Sequence, residues 1–85
     1  MKNLTELENS AIAKGKIAGK NLFDVRETHK FVNEKSVKNV IEWQNRNLNA
    51  FKKNPIFQQK NELPIYEEYI FNIAKYTEVL RLLKN

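Results

Sequence analysis

Residues 63–85 read LPIYEEYIFNIAKYTEVLRLLKN, and the spacing of apolar side chains in this stretch decides the fold class. At about 100° per residue, Tyr66, Tyr69, Ile70, Ile73, Tyr76, Leu80 and Leu83 fall on one broad face of a helix. Phe71 and Leu82 fall together on the opposite side, among Glu67, Lys75 and Glu78. A helix apolar on two faces has two partners. One is the rest of the domain, and the other is expected to be a second copy of the chain or a different protein. Phe71, Leu82, Tyr66 and Tyr76 are therefore the candidate partner-binding residues. Pro64 suits the first turn, where its missing N–H leaves nothing unpaired, and Glu67 and Glu68 suit the positive end of the helix dipole.

Working towards the N-terminus, Asn54-Pro55 is a helix stop: asparagine tolerates the left-handed cap and proline cannot continue the ladder. Residues 54–62 form a connector whose Ile56 and Phe57 are expected to tuck against the bundle. The stretch before it, 24–53, is helical. Asp24 and Glu27 have capping-box spacing at its start. Val37, Val40, Ile41, Leu48 and Phe51 share one face, and Val25, Val32, Trp43 and Ala50 a neighbouring one. Trp43 and Tyr69 are expected in the core. The phase is lost between Asn33 and Ser36, and Ser36 can serve as an N-cap, so this segment is either one helix or two broken near 33–36. A first helix spans about 5–22, with Thr5 and Glu8 as another capping box. Ala11, Gly15 and Gly19 fall four apart on it. That row permits a close helix approach, although either glycine also suits a helix end.

The 85 residues make one domain with a narrow stability margin. No cysteine is present, which excludes disulfides and thiolate metal sites. No run approaches a membrane span, and Met1–Asn21 has no signal-peptide block, so the cytoplasm is the default location and no membrane is expected. The net charge is +5, with twelve Lys or Arg against six acids in residues 1–60 and three against four thereafter. Such a field attracts nucleic acid or acidic proteins. Twelve of the fifteen cations are lysine, a weaker reader of guanine and phosphate than arginine.

Chemistry-bearing residues do not converge. His29 is the sole histidine and has no carboxylate at a helical offset that would make a ligand set or a catalytic pair. GKIAGK lacks the pattern of a phosphate loop. No catalytic residue, metal or cofactor is assigned, and no small-molecule substrate is expected. Residues 34–46, EKSVKNVIEWQNR, match the turn and second helix of a helix-turn-helix with Lys38, Asn39, Asn45 and Arg46 outward. Lys16 and Lys20, four apart, form a second basic pair for phosphate or an acidic partner.

The sequence thus predicts an all-α bundle of three or four helices that self-associates. It predicts a non-enzymatic protein that binds a protein partner, in the manner of small regulators or inhibitors, including those carried by phages and plasmids. The alternative is a helix-turn-helix nucleic-acid-binding regulator.

Overall fold

A computed structural model describes residues 4–53 and 63–85. Helix α1 spans Leu4–Asp24, α2 Glu34–Lys53 and α3 Leu63–Lys84, with one 3-10 turn at Arg26–Thr28 and no strand among the described residues. The protein is a small all-α bundle. The Asn54-Pro55 stop and the placement of Ile56 and Phe57 fall outside the described residues.

The middle segment is not one helix from residue 24. Asp24 ends α1, where Lys20 Nζ lies 3.5 Å from its carboxylate, and Glu27 sits in the 3-10 turn. No capping box forms there. Arg26 instead closes the end of α1, its guanidinium donating to the Phe23 carbonyl at 3.0 Å while lying over the Phe23 ring. The cap of α2 is Asn33, not Ser36. Asn33 Oδ1 accepts from the Ser36 backbone N–H at 2.9 Å, and the Asn33 carbonyl accepts the first helical bond from Val37. Thr5 likewise lies inside α1 rather than before it, and the Glu8 carboxylate reaches α3 instead of the cap amide.

Helix α3 lies between the other two. It packs along α1 on one side and α2 on the other, while α1 and α2 barely meet. Glu8 faces Tyr66, Gly15 faces Phe71 and Ala74, and Gly19 faces Lys75 and Glu78, so the numbers rise together and α1 and α3 are parallel. Phe51 stacks with Tyr69 (ring centroids 5.7 Å apart) while Val37 and Val79 share the core, so α2 is antiparallel to α3. These directions place the end of α1, the start of α2 and the end of α3 at one pole. The nine residues 25–33 cross that pole, and Val32 seals it against Val37 and Val79, with Leu22, Ile41, Tyr76, Leu80 and Leu83 around them. The two sides of α3 therefore have two partners inside the chain, and Phe71 and Leu82 are half-buried on it. The structure does not show self-association.

The glycine row does what its spacing allows. Gly15 and Gly19 are buried in mid-helix, and a Cβ at Gly15 would stand 2.6 Å from the Phe71 carbonyl oxygen and 2.7 Å from Ala74 Cβ. At Gly19 it would collide with the Lys75 carbonyl and come 2.9 Å from Glu78 Cβ. Neither glycine ends the helix.

A polar link crosses the α1–α3 seam. Tyr66 is 2% exposed and its hydroxyl donates to Glu8 Oε1 at 2.6 Å. Burial, then the Glu8 hydrogen bond and charge, push the Tyr66 phenol up to about 12. A folded-state value above the unfolded one near 10 means that the protonated phenol stabilises the fold. That contribution is complete below pH 10 and is lost as the pH rises from about 10 to 12. Urea titrations across this range are expected to show a steeper stability loss for the parent than for Tyr66→Phe, which has no phenol to ionise. Parallel curves would show that the link contributes nothing.

Candidate functional site

The core is thin. Among the described residues, Ala11, Val32, Val37, Leu48, Tyr66 and Val79 are the buried apolar ones, and six large apolar side chains are exposed: Ile12, Ile17, Val25, Phe31, Trp43 and Ile65. Scattered exposed apolar side chains are ordinary, so the informative ones are those that share a concave surface.

Two concave surfaces stand out among the described residues. The larger, about 510 Å³, runs between α1 and α3 and is lined by Ile12, Lys16, Ala74, Thr77, Glu78 and Arg81. Its charges are largely spent on one another. Arg81 Nε donates to Glu78 Oε1 and its Nη2 to Oε2 at 3.3 Å, and this holds the Glu78 carboxyl below the usual carboxylate range, with Lys16 adding to the effect. The smaller, about 220 Å³, lies between α2 and α3 and is lined by Trp43, Gln44, Asn47, Ile65, Glu68, Tyr69 and Asn72. Its groups are unspent: the amides of Gln44, Asn47 and Asn72 make no hydrogen bond among the described residues. Trp43, 59% exposed, is the most open aromatic beside it.

Trp43 was expected in the core, and the break before Asn33 explains why it is not. Its apparent companions on a second face, Val25 and Val32, belong to the connector and not to α2. Measured from the true core stripe of Val37, Ile41 and Leu48, Trp43 stands about 120–160° around the helix. Flanked by Glu42, Gln44, Asn45 and Arg46, it had the polar neighbours of an outward residue.

The other candidate residues are dispersed. Tyr66 is buried with its hydroxyl on Glu8, and Lys52 Nζ lies 5.8 Å from its ring centroid, so it is a core residue and not a surface anchor. Tyr76 packs on the Val32–Val37–Val79 cluster. Phe71 and Leu82 are half-buried, Phe71 on the turn that passes beneath Gly15. Lys16 lines the larger groove and Lys20 pairs with Asp24. Lys38 lies 3.9 Å from Glu34, and Lys38, Asn39, Asn45 and Arg46 are all exposed on α2. The structure thus gathers the last four on one helix and leaves the tyrosines, Phe71 and Leu82 in the bundle.

Helices α1 and α2 do not form a helix-turn-helix pair. That motif packs two consecutive helices across a turn of three or four residues, whereas nine residues separate α1 from α2 and the two helices barely touch. Among the described residues, no three His, Asp or Glu side chains gather as a metal site, and no helix is long and apolar enough to cross a membrane. No family model matches the chain, and neither a curated protein nor a solved structure shows significant similarity to it.

Proposed function

We propose that this chain is a non-enzymatic binding module, of the small regulator or inhibitor type, that engages a macromolecule through the α2–α3 face around Trp43. The observation that carries the reading is the exposed indole beside Ile65, Tyr69 and three amides that make no hydrogen bond among the described residues. Tryptophan and tyrosine dominate binding energy where a partner desolvates them, and the surplus of positive charge raises the encounter rate with an acidic partner. The dispersed carboxylates and the single exposed histidine, His29, offer no competing catalytic arrangement.

Photo-crosslinking tests this face directly. A benzophenone side chain placed at Ile65, in the cell that produces the protein, is expected to yield a discrete adduct that is lost on adding Trp43→Ala. The same group at exposed Asn9 on α1 is expected to yield none. Because Trp43 and Ile65 are surface residues, both changes should leave stability within about 0.5 kcal/mol of the parent. An adduct of twice 10.1 kDa would identify the partner as a second copy. Equal labelling from Asn9 and Ile65, or none from either, would remove the assignment.

A further inference from the structure

The structure locates the positive charge more narrowly than the sequence does. Helix α2 carries Lys35, Lys38, Arg46, Lys52 and Lys53 against Glu34 and Glu42, whereas α1 and α3 each balance three cations with three carboxylates. More than half of the net +5 therefore sits on the helix that presents Trp43. At about 100° per residue, Lys35, Arg46 and Lys53 form one line along α2, roughly 27 Å long at 1.5 Å per residue, and it runs about 60–80° around from Trp43. All three are exposed.

We infer that the Trp43 face of α2 and α3 is a platform for single-stranded nucleic acid: one base stacks on the indole while the phosphates follow the Lys35–Arg46–Lys53 line. The inference rests on the binding-module reading above and names its partner. Aromatic stacking is indifferent to sequence because every base has a π-face, and a basic groove beside the aromatic tracks the backbone. Asn39, one turn before Trp43, and Gln44, Asn47 and Asn72 around it supply both donors and acceptors, as base edges require. A protein hot spot surrounds its indole with contacts that exclude water, and a rim of four carboxamides suits a base better. Glu68 lines the groove. Its charge disfavours phosphate there, leaving the groove to the base and sending the backbone along the outer line, whose charge Glu42, about 20–40° around the helix from it, offsets in part. A duplex is disfavoured because its bases are stacked away from the indole and α1 and α2 do not pack as a helix-turn-helix pair.

Trp43 is the only tryptophan, so its emission reports on this face alone. Titrating the full chain with oligo(dT) at low salt is expected to quench that emission. The affinity should fall with salt at a log–log slope of about −2, as expected for the release of counterions by three cations on a single strand. Read by the anisotropy of a labelled strand, Trp43→Ala is expected to weaken binding about 5- to 150-fold, the range for losing one stacked base. Arg46→Glu should weaken it and flatten the salt slope, with helicity by circular dichroism unchanged in both variants. An abasic strand should bind weakly and quench nothing. The inference falls if oligo(dT) does not quench, or if the abasic strand or polyglutamate binds as well as oligo(dT), which would reduce the face to a charge effect. A nuclease-resistant protein adduct from Ile65, together with no oligo(dT) binding, would overturn the nucleic-acid assignment and leave the binding module standing.

Discussion

Replacing Gly15 and Gly19 together by alanine is expected to destabilise the protein by about 2–4 kcal/mol, against intrinsic helix propensity. Alanine is favoured over glycine in a helix interior by up to about 1 kcal/mol per site, so an isolated peptide of residues 4–24 should become more helical with both changes. In the protein the added Cβ atoms meet the Phe71 and Lys75 carbonyls and the Ala74 and Glu78 Cβ atoms. Backbone oxygens and Cβ atoms cannot rotate away, so α1 and α3 must separate along the seam where α1 has its only extended packing. Overpacking costs typically about 1–3 kcal/mol per site, and the two sites lie on adjacent turns of one interface, so the steric cost exceeds the propensity gain. At about 4–8 °C per kcal/mol for a domain of this size, the melting temperature should fall by roughly 10–30 °C. Opposite signs for peptide and protein are the decisive result. A stabilised protein would mean that the two helices do not approach as closely as the glycine contacts require.

The glycine row was legible because a four-residue period of small side chains has one direct physical use. So were the extent of α3 and its two apolar faces, since a helical wheel fixes which residues share a face. The wheel does not say what occupies each face. An external partner for Phe71 and Leu82 is not required by the two faces alone, because the last helix runs between the first two. That topology depends on a nine-residue connector, and the sequence disguises it: Asp24 and Glu27 imitate a capping box, while Val25 and Val32 keep a helical period with Trp43. Thr5 and Glu8 show the same weakness of a motif resting on a single spacing, because the glutamate found a tyrosine 58 residues away instead of its own cap. Trp43 was misplaced for this reason too. Once its false companions are removed, its polar neighbours mark it as outward. The basic character of residues 1–60 was legible as well, but its concentration on α2 emerged only when the helix limits separated α2 from the electrically balanced α1.

Val79 is where the central position of α3 meets its strongest test. Its side chain is 0% exposed, as is that of Val37, and these are the largest fully buried side chains in the described residues. Around the cluster they form with Val32 gather Leu22 of α1, Ile41 of α2, and Tyr76, Leu80 and Leu83 of α3. Val79→Ala removes two methyl groups, at about 0.8 kcal/mol each by transfer, and leaves a cavity that three helices and a connector cannot easily close. The expected loss is about 2–3 kcal/mol. A core this small rarely supplies more than about 3–5 kcal/mol, so the variant should sit close to its unfolding midpoint at 25 °C, with a lower urea midpoint and an unchanged m-value. Val79→Asp buries an unpaired carboxylate at the same point and should leave no folded population. Ile17→Ala removes a larger side chain on α1, but that side chain is 65% exposed and its loss should cost about 0.5 kcal/mol or less. If Val79→Ala cost no more than Ile17→Ala, the pole would not be packed, and the order that places α3 between α1 and α2 would fail with it.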